Sequence, residues 1–195
     1  GKDVVAQAQT GTGKTLAFLL PLLEKIDVSK THIQGLIITP TRELAAQITE
    51  EANKLADILG INVLSVYGGQ ELNRQMKQLR GNPHLIIGTP GRILDHLRRK
   101  TIYISAVSLL VLDEADQMLH MGFLAEVEEI IRLTPANRQT MLFSATIPPK
   151  IRNLANQYMT KPLDIRVKTT QVTLEEIKQI LVETTEENKV DKLCA

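Results

Sequence analysis

Aromatic residues are scarce: the 195-residue chain has three Phe, three Tyr and no Trp. So few rings argue against base stacking on an aromatic platform as a main binding mode. Cysteine is almost missing as well. Cys194 stands alone, which excludes an intrachain disulfide, fits a reducing compartment and makes a cytoplasmic location the expectation. No apolar run reaches membrane length, and the longest near the start, Leu16 to Leu23, contains Pro21. The formal net charge is only +1, so any contact with a polyanion must be local and not a property of the whole surface. Internal repeats and low-complexity linkers are also missing. His32, His84, His96 and His120 lack metal-ligand spacing and suggest no zinc.

What is present is an alternation of short β-rich runs with longer amphipathic ones, in a chain long enough for one domain with a substantial core. Strands are expected at Val4–Ala6, Leu36–Ile38, Val63–Tyr67, Leu85–Ile87, Leu109–Leu112, Met141–Phe143 and Ile165–Val167. Several read as continuous apolar runs, the pattern of strands buried on both faces. Such β-α repetition predicts an α/β fold: a parallel sheet covered by helices, with right-handed crossovers. The clearest helix follows the second strand, with Leu44, Ile48, Ala52, Leu55 and Leu59 on one face. From about Thr169 the pattern weakens into a polar stretch.

Two segments carry the chemistry. Ala8-Gln9-Thr10-Gly11-Thr12-Gly13-Lys14-Thr15 sits between a strand and a helix and has the shape of a phosphate-binding loop. Glycine tolerates the dihedrals that let backbone N–H groups wrap a phosphate, and the helix N-terminus adds its dipole. Lys14 would reach the β- and γ-phosphates, and the Thr15 hydroxyl would coordinate magnesium. Ala8 departs from the general pattern, which has glycine there. Further on, Asp113-Glu114-Ala115-Asp116 closes the apolar run Leu109–Leu112. Asp113 at a strand end is placed to coordinate magnesium, directly or through water, and Glu114 to polarise the water that attacks the γ-phosphate. Lys14, Asp113 and Glu114 are therefore the expected catalytic residues of a nucleotide hydrolase using Mg²⁺.

Beyond these, the chain carries Pro40-Thr41-Arg42-Glu43-Leu44-Ala45, Gly68-Gly69, Thr89-Pro90-Gly91-Arg92 and Ser144-Ala145-Thr146, each after an expected strand. In this set and order it resembles the DEAD-box RNA helicases, specifically their first RecA-like domain, over nearly its whole length. The resemblance implies a RecA-like P-loop NTPase fold with a mostly parallel sheet and helices on both faces, and makes ATP the nucleotide. It implies that Pro40, Thr41, Arg42, Gly68, Gly69, Thr89, Pro90, Gly91 and Arg92 line an RNA groove and grip the sugar–phosphate backbone without reading bases. Thr89-Pro90 is itself a good helix start, since Thr can cap and Pro suits the first turn, and a helix N-terminus beside Arg92 suits a phosphate. Ser144 and Thr146 would couple nucleotide state to RNA binding, with Asp116 as hydrogen-bonding partner. Arg98-Arg99-Lys100 reads as a helix C-terminus and not as an RNA contact.

The same resemblance divides the chain into an ATP-binding domain, residues 1–168, and a linker with the start of a second RecA-like domain, residues 169–195. An adenine-recognising segment is expected upstream of Gly1, and the arginines that complete hydrolysis are expected in the second domain. The function implied is ATP-dependent RNA helicase. The alternative is a nucleotide- and RNA-binding fragment with negligible catalysis of its own. Two short matches point elsewhere. Asn188-Lys189-Val190-Asp191 fits a guanine-selecting element but lies in a charged stretch, without an Asp-x-x-Gly after the second strand. Ser65 to Gln70 faintly echoes a transporter-ATPase signature, at the wrong distance from the acidic strand.

Overall fold

Four-residue apolar runs with no room for alternation form the centre of a seven-stranded sheet in the computed structural model, which describes residues 1–9, 11–167 and 183–194. The strands are β1 (Val4–Gln7), β2 (Gly35–Ile38), β3 (Val63–Val66), β4 (Leu85–Gly88), β5 (Leu109–Leu112), β6 (Gln139–Ser144) and β7 (Leu163–Arg166). All neighbours pair in parallel, in the order β3-β4-β2-β5-β6-β1-β7. β2, β4 and β5 are buried at every position, as continuous apolar runs require. β7 departs from that expectation. It is an edge strand paired only with β1, its sequence Leu-Asp-Ile-Arg alternates with charge, and it is exposed throughout.

Helices cover both faces. α1 (Lys14–Glu24) and α2 (Arg42–Leu59) pack one core, with Phe18, Leu19, Leu22, Ile48 and Ala52 fully buried against Ile37, Ile87 and Val111. α4 (Pro90–Arg98), α5 (Ala115–His120), α6 (Leu124–Leu133) and α7 (Pro149–Tyr158) pack the other, around Leu36, Ile38, Leu110 and Leu142. α3 (Leu72–Leu79) lies beyond β3, and a short 3₁₀ turn (Glu186–Asn188) and α8 (Lys189–Cys194) lie near the end of the chain. That last stretch holds the Asn-Lys-Val-Asp match. The linker expected from Thr169 lies outside the described residues up to 182.

The apolar stripe of α2 is rotated from its expected position. The buried residues are Ala45, Ile48, Ala52 and Ala56, while Leu44 and Leu55 pack only partly and Leu59 is exposed. Small alanines let the helix axis approach the sheet, and the leucines flank the contact line. Thr41 Oγ1 caps the start by accepting from Leu44 N at 3.2 Å, and Gly60 ends the helix in the left-handed conformation. α1 is fixed against the sheet by its four buried residues and by Phe18 stacked at a tilt on Phe143, ring centroids 5.3 Å apart. Each such side chain contributes roughly 1.5–3 kcal/mol of burial, which holds the N-terminus of α1 in place. Among the described residues no helix is long and apolar enough to cross a membrane.

Candidate active site and nucleic-acid interface

The order of the strands sorts the expected site residues into two groups along the carboxyl edge of the sheet. The loop Ala8–Thr15 follows β1, Asp113 to Asp116 follows β5, and Ser144 to Thr146 ends β6; these three strands are adjacent. Pro40 to Arg42 follows β2, Gly68-Gly69 follows β3 and Thr89 to Arg92 follows β4, again three adjacent strands. All lie where open α/β sheets bind ligands.

In the first group, Gly11 and Gly13 take φ of 79° and 84°, a region that disfavours any side chain. Gly13 is the N-cap of α1, and Thr12 Oγ1 donates to Gln9 O at 2.7 Å to close the turn. Thr10 lies outside the described residues. Lys14 and Thr15 are the first two residues of α1. Lys14 Nζ is buried with no protein hydrogen-bond partner among the described residues. A buried ammonium without an acceptor, at a helix N-terminus ringed by backbone N–H groups, is a chemical fit for phosphate oxygens. The loop is tied to β6 by Ala8 N donating to Ser144 O at 3.0 Å and Gln7 Nε2 to Ala145 O at 3.2 Å. Thr39, just past β2, has the other buried side-chain polar atom, its hydroxyl, without a protein partner among the described residues.

Asp113 is only 3% exposed, and its Oδ1 accepts from Glu114 N at 3.0 Å. Burial pushes its carboxyl up to about 6, the charge of Lys14 offsetting part of that and Glu114 adding to it. A carboxylate this short of solvation suits a divalent cation, and Thr15 at the start of α1 carries the hydroxyl expected to share it. Glu114 is left-handed at φ 51°, ψ 51°, an uncommon conformation for a non-glycine residue. Asp116 contacts both residues expected as its partners. Its N–H donates to Ser144 Oγ at 3.0 Å, and its Oδ2 accepts from Thr146 N at 2.9 Å and Thr146 Oγ1 at 2.8 Å. Burial raises the Asp116 carboxyl, but donation from Thr146 and from Gln117 N more than offsets it, so the group sits below its ordinary range.

Asp113 yields a stability prediction for the metal-free chain. Its folded pKa of about 6 lies above the ordinary 3.8, so its favourable contribution is complete below pH 3.8 and lost as pH rises through 6. At pH 8 the buried carboxylate costs on the order of 2–3 kcal/mol. Asp113→Asn should therefore be more stable than the wild type at pH 8 and indistinguishable near pH 4. Urea titrations at both values measure it, and equal stabilities at pH 8 would refute it.

In the second group, Thr41 caps α2 and Arg42 is its first helical residue. Gly69 takes φ 86°, and a side chain there would run into the Arg42 guanidinium, whose Nη1 donates weakly to Gly68 O at 3.5 Å. Thr89 stands at the N-cap of α4 with Pro90 at the first helical position, yet its side chain makes no capping bond. The expected cap is not formed; Pro90 lacks only the N–H of the first helical position, whereas a side-chain cap bonds the second or third. Arg92 is half-buried, and Nη1 donates to Gln70 O at 3.1 Å and Gln75 Oε1 at 2.9 Å. Arg98 and Arg99 end α4 and pair with Glu129 and Asp95. Gln75, fully buried, did not stand out in the sequence. The available signal was a glutamine on the apolar face of α3, between Leu72 and Leu79.

An all-parallel sheet with helices on both faces and a Gly-Lys-Thr loop leading from β1 into α1 defines a RecA-like P-loop domain. The chain belongs to the DEAD/DEAH box helicase family, whose model matches residues 1–154. It is 51% identical over 193 residues, 99% of its length, to the DEAD-box ATP-dependent RNA helicase CshA of Bacillus cereus. It is 50% identical to the ATP-dependent RNA helicase CshA of Listeria monocytogenes. The chain spans 37% of each of those two proteins. Among solved structures, it resembles a DEAD box protein from Methanococcus jannaschii with a TM-score of 0.83 and 40% identity, over all of this chain and 52% of that one. The yeast DEAD-box splicing factor Prp28 matches 86% of this chain and 42% of its own, with a TM-score of 0.82 and 34% identity.

Proposed function

We propose that this chain is the first RecA-like domain, residues 1–168, of an ATP-dependent RNA helicase that couples ATP hydrolysis to local, sequence-independent duplex unwinding. Residues 169–195 are read as the linker and the start of a second RecA-like domain, and the setting as cytoplasmic. The observation that carries the proposal is the split of the carboxyl edge: β1, β5 and β6 present the phosphate-loop and Asp-Glu groups, and β2, β4 and β3 present two helix N-termini, Arg42, Arg92 and a diglycine turn.

On the first half, Ala8–Thr15 binds phosphates through backbone N–H groups and Lys14 Nζ. Thr15 and Asp113 would hold magnesium, which when bound would neutralise phosphate charge and order water. Glu114 accepts the proton of the attacking water. On the second half, Pro40–Arg42, Gly68-Gly69 and Thr89–Arg92 grip RNA phosphates and sugars. Thr146, Ser144 and Asp116 link β6 to α5 between the Asp-Glu pair and the phosphate loop, and so carry nucleotide state across the edge.

Photo-crosslinking tests this division. A thiouridine-substituted RNA should crosslink to peptides following β2, β3 and β4, and not to those following β1 or β5. Lys14→Ala should weaken ATP binding by roughly ten- to a hundredfold, as loss of a charge-assisted phosphate contact implies, and leave the crosslinks in place. Nucleotide competition should show no preference for GTP. Crosslinks confined to the β1/β5 edge, or clear GTP selectivity, would sink the reading.

A further inference from the structure

We infer that Gln75 is a positioning residue that locks the Gly68-Gly69 turn and the Arg92 guanidinium into one rigid RNA-facing unit. The inference rests on the proposed RNA-binding role of those segments and adds a residue to it. Gln75 is the one buried residue of α3 and is fully inaccessible. A primary carboxamide has two N–H donors and two acceptor lone pairs, and this one uses all four. Nε2 donates to Tyr67 O at 2.9 Å and to Gln70 Oε1 at 3.2 Å, on the two sides of Gly68-Gly69. Oε1 accepts from Arg92 Nη1 at 2.9 Å and meets His96 Nε2 at 3.0 Å.

The pattern fixes the orientation of the amide and the tautomer of His96. Oε1 can only accept, so His96 Nε2 must carry the proton. His96 is itself fully buried, with Nδ1 2.7 Å from Thr101 Oγ1. Burial first, and then the charge of Arg92, hold its imidazole below its ordinary pKa, so it stays neutral. Arg92 Nη1 also donates to Gln70 O at 3.1 Å, closing a ring through the turn, α3 and α4.

No other side chain can replace this amide. Glutamate keeps the acceptors and loses both donors, releasing Tyr67 O and Gln70 Oε1. Methionine keeps the shape and loses everything. A turn of two glycines has little rigidity of its own, so its shape depends on what grips it. Gln75 grips it from beneath, while Arg42 lies across Gly69 from α2. Arg92 would otherwise be a long free side chain, losing rotamer entropy on meeting a phosphate. Held at Nη1, it presents its remaining donors from a fixed position.

The test uses Gln75→Met, Gln75→Glu and Arg92→Ala in this chain, each measured for RNA affinity against salt and for backbone ¹⁵N relaxation. Gln75→Met should weaken single-stranded RNA about tenfold and lower the slope of log affinity against log salt by about one, the signature of one lost phosphate contact. In the Arg92→Ala background the same change should add little, since the two act as a unit. Order parameters at Gly68, Gly69 and Gln70 should fall in Gln75→Met from ~0.85 towards ~0.6, without RNA present. Gln75→Glu should fall between, retaining the Arg92 and His96 contacts and losing both bonds to the turn. Additive losses, or an unchanged salt slope with a folded Gln75→Met protein, would overturn the inference. If the wild type itself fails to bind RNA, the RNA-binding proposal falls. The relaxation data then decide on positioning alone, and unchanged order parameters would refute it.

Discussion

Glu114→Gln in a two-domain protein containing this chain is expected to lower RNA-stimulated ATP hydrolysis by about 10²–10⁴-fold, the usual contribution of a positioned general base. ATP binding should change by no more than a few-fold, because the phosphate contacts proposed above belong to Ala8–Thr15 and not to the Glu114 side chain. The substitution is close to isosteric and keeps the Glu114 N–H bond to Asp113 Oδ1, so the metal-side carboxylate stays oriented. The residue's backbone sharpens the case. A left-handed non-glycine residue costs about 1–2 kcal/mol, and this one caps α5 with no side-chain cap bond to offset it. Strain of that kind persists where surrounding structure over-determines a side-chain direction. Here the determinants are Asp113, anchored on buried β5, and α5, anchored through Asp116 to Ser144 and Thr146. Hydrolysis measured at saturating ATP and RNA, with binding measured separately, decides the matter. Turnover within threefold of wild type would remove Glu114 from the role of base.

Much of the fold could be read from the sequence because its signals are local. Leu109–Leu112 is apolar at every position and is buried at every position, and the Gly-Lys-Thr loop lies between strand and helix as its pattern requires. The ordering of strands is a different kind of information. Nothing in Leu36–Ile38 says that it neighbours both Leu85–Gly88 and Leu109–Leu112, and that adjacency gathers the motifs into two groups. Edge position was equally hidden. The strand expected at Ile165–Val167 forms as Leu163–Arg166, pairs only with β1, and leaves Ile165 half-exposed. Gln75 escaped for a third reason. A buried amide satisfied by backbone oxygens and distant side chains has no sequence period, and its four partners are spread from Tyr67 to His96.

The isolated 195-residue chain is expected to hydrolyse ATP roughly 10³–10⁵ times more slowly than a two-domain protein with RNA bound, the range an arginine supplied to the transferring phosphoryl group typically contributes. The distribution of arginines in this chain is the reason. Arg42 and Arg92 lie at the β2 and β4 ends of the sheet and are engaged with Gly68, Gln70 and Gln75. Arg74 and Arg80 belong to α3 and its C-terminus, beyond β3 at the far edge. Arg98, Arg99 and Arg132 pair with Glu129, Asp95 and Glu128, and Arg152 and Arg166 with Asp164. Arg138 bonds to the carbonyl oxygens of Pro135 and Tyr158. None of these bonds reaches the loop between β1 and α1, where Lys14 is the buried cation. On the proposed roles, Lys14, Asp113 and Glu114 would hold phosphates, metal and water, while charge developing on the γ-phosphoryl group would await a guanidinium from a second domain. Adding a second RecA-like domain from a relative, in trans with single-stranded RNA, should raise the rate, and replacing that domain's arginines should cancel the gain. An RNA-stimulated rate from the isolated chain equal to that of the two-domain protein would mean that its own residues complete the transition state.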